Sequence, residues 1–155
     1  MYATTAHYIL TADIDLSGYE NWEPIGAFQS RSNAPEDEEV PHPNYAFTGT
    51  FKGDGHTISN LTVATAVPMG AGLFNCASGT ERCEAYIGGF TMENVNVSGG
   101  YLVGGLVGAG KEKVEGSDVM SSFVISDCDV SGTITGGGAC GCCGGRSDLR
   151  GEHRL

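Results

Sequence analysis

Several residues in this 155-residue chain have the types and spacing to do chemistry. Asp13 and Asp15 stand two apart in YILTADIDLSG. On a strand they project from one face, where paired carboxylates bind calcium or act as acid and base. Asp also suits turns, where it accepts from backbone amides. Gly53-Asp54-Gly55-His56 sets an acid beside an imidazole. Polysaccharide-cleaving sites need two or three carboxylates clustered on one surface. Stepping one repeat from Asp54 reaches Ile87 and Gly88, and a further step reaches Met120 and Ser121, so no ladder of acids forms. Asp54-Gly55 is expected to make a tight turn. Trp22, with Tyr19, Tyr45 and Tyr101, has the ring area for a sugar-stacking platform, although Trp22 beside Pro24 and Ile25 also suits a plug at one end of a core. The residues singled out for ligand binding are Trp22, Tyr45, Asp54 and His56. No catalytic residue, metal ligand or cofactor is expected.

The six cysteines divide by context. Cys76 and Cys83 flank a short segment and suit a pair in an oxidising compartment. Cys140, Cys142 and Cys143 lack the second matching ligand pair of a structural zinc site. Cys128 and Cys140 occupy apolar positions of a repeat and are expected to pack as small hydrophobes. Lys52 is the basic residue nearest Asp54; Arg82, Lys111 and Lys113 fall in loop-like text. Neither a Gly-x-Ser-x-Gly nucleophile turn nor a phosphate-binding glycine loop occurs. Two glycosylation-type triplets begin at Asn60 and Asn96. They fall in expected strands and carry no assigned role.

Net charge is −11, with 19 acidic against 8 basic residues. Nucleic-acid binding needs phosphate-neutralising Lys and Arg, so no nucleic-acid partner is expected. No membrane insertion is expected either, because no apolar run approaches the roughly 18 residues that span a bilayer. The N-terminal segment lacks the basic and long apolar regions of a signal peptide.

The elements that must position these residues are strands. The apolar runs are short, β-branched and alternating: Tyr8-Ile9-Leu10, Phe47–Phe51, Leu61-Thr62-Val63. Gly, Asn, Asp and Ser separate them. A repeat arranges them. VNVSGG at residues 95–100 and CDVSGT at 128–133 lie 33 apart, as do GGLVG at 104–108 and GGACG at 137–141. Leu73-Phe74 precedes Leu106-Val107 by the same interval, and Leu61 precedes Val95 by 34. Such a period marks stacked repeats. Equivalent strands then pair in parallel about 4.8 Å apart. The expected ladders are Leu61/Val95/Cys128, Val63/Val97/Val130, Leu73/Leu106/Ala139 and Phe74/Val107/Cys140. The expected domain is residues 1–141, with a polar acidic loop at 29–44 and a poorly ordered tail at 142–155.

Gly-Leu-Val-Gly at 105–108, preceded in order by YILTADIDLSG, NWEPIG, FTGTFKGDGHTISNLTV and GLFN, resembles the GLUG-motif repeats of bacterial surface and secreted proteins. The likeness covers roughly residues 8–141 and places Asp13 and Asp15 in a recurring run-in segment, which implies a structural role for them. In the last repeat Gly-Ala-Cys-Gly replaces the motif. The resemblance implies an all-β fold, a right-handed parallel β-helix of about three to four coils. It also implies an extracellular or cell-surface setting. The expected function is non-enzymatic: surface display, adhesion, or contact with a protein or glycan ligand. A homodimer through an exposed coil end is expected, because open strand edges invite pairing. The alternative is a small lyase or hydrolase acting on polysaccharide with loop carboxylates (Glu36–Glu39, Glu112, Asp118). A third reading is a cation-binding structural protein.

Overall fold

A computed structural model describes residues 5–26, 46–65, 69–78, 85–111, 123–136 and 140–141. Tyr45, Cys83, Ala139, Cys142, Cys143, the acidic loop and the tail lie outside the described residues. All regular structure among the described residues is β. In chain order the strands are β1 (His7–Ile9), β2 (Ile14–Asp15), β3 (Thr50–Lys52), β4 (Thr57–Ser59), β5 (Thr62–Ala64), β6 (Met69–Ala71), β7 (Phe74–Ser78), β8 (Ala85–Gly99), β9 (Tyr101–Gly104), β10 (Val107–Lys111), β11 (Phe123–Gly136) and β12 (Cys140–Gly141).

Among the described residues every strand pairing is parallel. Parallel neighbours must be joined by long connections, so each strand meets its counterpart from another repeat rather than its neighbour in sequence. The largest sheet has the order β1-β3-β8-β4-β2, with β5 and β11 also on β8. The 15 residues of β8 pair in succession with β3, β4 and β5. Positive φ at Gly89 (77°) and Asn94 (53°) bends β8 between these partners. The partners break at matching places, where Asp54, Gly55 and Asn60 take φ of 51°, 80° and 62°. Gly and Asn reach this region at low cost, so composition and bend coincide. β7 pairs with β10 in a second sheet, and β6, β9 and β12 form a third.

The register produces rows of like residues. Tyr8, Phe51, Ile87 and Ile125 stand in line, as do Ile14, Ile58, Met92 and Val130. Trp22 donates its backbone N–H to Thr62 O at 2.8 Å, which sets it beside Val63, Val97 and Ile134. Ile25, Phe74 and Val107 make a fourth row. Inward residues of all three sheets belong to one apolar cluster. At its centre Phe74, fully buried, lies 4.9 Å from Phe47 and 5.4 Å from Phe51, ring centre to ring centre.

The ladders expected between the middle repeats are present: Leu61 lies beside Val95, Val63 on Val97, and Phe74 on Val107. Those expected in the last repeat are not. Cys128 stands on Phe90, Val130 on Met92, and Cys140 on Val103. The last pass is displaced from the sequence repeat because it is longer: β11 pairs Ile125 with Ile87 but Ile134 with Val97. A bulge separates these two halves. Between Val130 and Gly132 the single residue Ser131 opposes Glu93 and Asn94. The pairing offset is 38 residues before the bulge and 37 after it, against 33 in the sequence repeat, so the sequence motif matched the wrong rungs.

The expectation that Cys128 packs as a small hydrophobe holds. It is buried, and burial pushes its thiol pKa up. The thiolate is the reactive form, so Cys128 is expected to resist alkylation in the folded protein. Peptide mapping after iodoacetamide treatment should find Cys128 labelled only with denaturant present. Rapid native labelling would contradict this placement.

Candidate functional site

The sheet bends carry the polar groups with chemical potential. Asp13 and Asp15 lie on the first pass, facing the turns of the second. Asp13 Oδ1 accepts the backbone N–H of Thr57 at 2.9 Å and lies 3.1 Å from His56 Nδ1. Asp15 Oδ1 accepts Ser17 N–H at 2.9 Å and Asn60 Nδ2 at 2.8 Å. The chain of bonds continues outward, since Asn60 Oδ1 accepts Asn94 Nδ2 at 2.7 Å. Asp15, Asn60 and Asn94 thus form a ladder across three passes. Asn21 makes a similar clasp, donating to Ala64 O at 3.0 Å and accepting Ala64 N–H at 2.8 Å.

Asparagine fits the ladder for two reasons. Its amide is both donor and acceptor, so it links the rung above to the rung below. It also tolerates the positive φ that each bend requires. In the last pass the bend is one residue shorter, and Ser131 Oγ donates instead to Met92 O at 3.3 Å.

These bonds hold both carboxyls below their usual pKa. For Asp13 the largest cause is the Thr57 amide, followed by His56; for Asp15 it is the Asn60 amide, followed by Ser17. A depressed carboxyl pKa adds stability above the unfolded value of about 3.9, and that stability is lost as pH falls through the lower folded value. Melting temperature should therefore fall below about pH 4, and less steeply in a D13N/D15N double variant. Equal slopes from pH 7 to 3 would show that the ladder contributes nothing.

Of the residues singled out by sequence, Asp54 and His56 come together on the turn after β3. Gly53 N–H bonds Gly88 O, Gly55 N–H bonds Gly89 O, and His56 N–H closes onto Gly53 O. Asp54 is exposed at its tip. Trp22 lies elsewhere, half-buried against the main cluster, with Nε1 donating to Leu73 O at 3.4 Å. It meets Tyr19 edge-on at 5.7 Å, and Tyr19 is 58% exposed. Tyr45 and the loop carboxylates Glu36–Glu39, Glu112 and Asp118 lie outside the described residues, as does Cys83, the partner expected for the buried Cys76.

The Asp13–His56 pair has the outline of a proton-transfer dyad. However, the same Asp13 oxygen already holds the Thr57 amide, so the carboxylate clamps two passes together. Among the described residues no group of three or more His, Cys, Asp and Glu side chains is placed to hold a metal ion. Sequence reasoning passed over Asn94. Its signal was present: Ser59-Asn60-Leu61 and Glu93-Asn94-Val95 share the offset of the true apolar ladders.

Fold and site together define an all-β repeat protein whose polar bends are zipped by side-chain bonds. Over 144 residues, 92% of this chain, it is 33% identical to halomucin of Haloquadratum walsbyi (strain DSM 16790 / HBSQ001). The chain spans about 1% of halomucin's length. No family model matches the chain, and no solved structure matches it. Among the described residues no helix is long and apolar enough to cross a membrane.

Proposed function

We propose that this chain is a non-enzymatic β-solenoid module of a cell-surface or secreted protein, serving display, adhesion or contact with a protein or glycan. Its successive parallel passes are the coils of a right-handed β-helix, and residues 1–141 form one such domain. The observation that carries this reading is how the reactive side chains are used. Asp13, Asp15, Asn21, Asn60 and Asn94 all bond to a neighbouring pass. The bends in β8 and the single cluster shared by three sheets support a coiled path. Similarity to the protein named halomucin supports an exterior setting. The ordered motifs that resemble GLUG repeats point the same way.

An antibody raised against the folded chain should label intact cells of the source organism, and brief protease treatment of those cells should remove the signal. Labelling only after lysis would overturn surface display. Incubation with a panel of acidic and neutral polysaccharides should release no new reducing or unsaturated ends. Turnover that survives repurification would replace this reading with an enzyme.

A further inference from the structure

Asn60-Leu61-Thr62 and Asn96-Val97-Ser98 both have the Asn-x-Ser/Thr form that accepts an N-linked sugar. A sugar is bulky and polar, so it needs a surface position. The fold treats the two triplets differently. Asn60 stands at the bend between β4 and β5, half-buried, with φ of 62°. Both ends of its amide are engaged: Nδ2 donates to Asp15 and Oδ1 accepts from Asn94. A sugar on Asn60 Nδ2 would break into that ladder.

Asn96 lies on the part of β8 that pairs with β5, and it is exposed. Val97 is fully buried. Alternation along a strand therefore turns Asn96 and Ser98 together to the outer face while Val97 stays in the core. In register, Asn96 stands between Thr62 of β5 and Thr133 of β11. Both flanking side chains are short, and Thr133 is exposed. A sugar ring on Asn96 Nδ2 can lie over them and bond their hydroxyls without disturbing an inward row.

We propose that Asn96 is the site of an N-linked glycan. The proposal rests on the exterior reading above, because such sugars are added to secreted proteins. The co-reactant is an oligosaccharide joined through its anomeric carbon to a polyprenyl phosphate, supplied with its transferase by the cell. Asn96 Nδ2 bonds to that carbon, and the carbon–oxygen bond to the phosphate breaks. The lipid phosphate leaves with the bonding electron pair and takes the proton that Nδ2 gives up, so nothing is oxidised or reduced. In the folded chain this part of β8 is paired along both edges, and Ser98 Oγ donates to Val63 O at 3.4 Å. A transferase cannot grip the triplet in that state, so transfer precedes pairing, and folding then turns the sugar outward. A chain modified at Asn60 instead loses its ladder, so the folded protein carries the sugar at Asn96 and not at Asn60.

Trypsin separates the two triplets, since cleavage after Lys52, Arg82 and Lys111 leaves Asn60 in peptide 53–82 and Asn96 in peptide 83–111. Mass spectrometry of the protein purified from its source cells should find peptide 83–111 heavier by a chain of hexose or N-acetylhexosamine units. Electron-transfer fragmentation should place that chain on Asn96, and peptide 53–82 should be bare. Expressed in the same cells, N96Q and S98A should both lose the added mass, and S98T should keep it. Circular dichroism should show the parent β spectrum for each; should a variant fail to fold, the parent peptide map decides. Sugar retained in S98A, sugar on Ser98 or Thr91, or sugar on Asn60 with Asn96 bare would overturn the assignment. A bare peptide 83–111 would also overturn it, and antibody labelling of the same intact cells would then show that surface display survives. A bare peptide in a chain found only after lysis would remove both readings.

Discussion

Replacing Phe74 by Ala should cost about 3–5 kcal/mol, the range for deleting a large buried side chain that leaves a cavity. Phe74 is fully buried, and its ring contacts Phe47 and Phe51, themselves buried. Its backbone is held on both sides, by Ile25 and by Val107. Main-chain pairing therefore keeps the neighbours from closing over the gap. Stability of a domain is typically only about 5–15 kcal/mol, so the loss is a large share of the total. Urea denaturation followed by circular dichroism should show a midpoint far below that of the parent chain. A conservative F74L should recover most of the difference. A loss under about 1 kcal/mol for F74A would mean that the rings do not pack as described.

The second large effect is expected at Gly132, on β11 beside the bulge between β11 and β8. Its φ is +144°, and an added Cβ would lie 2.1 Å from Val95 O and 2.5 Å from Val95 N. Those atoms are backbone in the central strand and have no room to retreat. Overpacking and forced backbone geometry together place the cost of G132A at about 2–4 kcal/mol. The damage should be local, because Phe123–Val130 pairs with β8 on the other side of the bulge. Hydrogen exchange should show Thr133–Gly136 losing protection while Phe123–Val130 keeps it. Gly18 is the control, since a Cβ added there would meet nothing within 4 Å and its φ is not in the left-handed region. G18A should leave stability within about 0.5 kcal/mol, as surface changes usually do. Uniform protection in G132A would contradict the bulge.

Much of the fold can be read in the residues. Short β-branched runs, glycine and asparagine punctuation and the repeat point to stacked parallel strands. Leu61 with Val95 and Phe74 with Val107 follow from spacing alone, because the second and third passes are of similar length. The last pass defeated the same reasoning. Between β10 and β11 the chain is longer, and the best-matching motif fell out of step with the pairing. The candidate site was legible only in pieces. Asp13, Asp15, Asp54 and His56 stand out by type, but the bonds that tie Asp13 and Asp15 to the next pass reach about 43–45 residues along the sequence.

The sequence by itself determined that this protein is built of β-strands, that its repeats stack, that it is acidic, and which residue types mark its bends. These are properties of short windows: side-chain branching, alternation and tolerance of positive φ. Only the tertiary structure decided which rungs meet. It placed Val130 on Met92 and Cys128 on Phe90, and joined Asp15, Asn60 and Asn94 into one ladder. The reason is that parallel pairing is set by loop length and by packing across passes, neither of which a local pattern encodes.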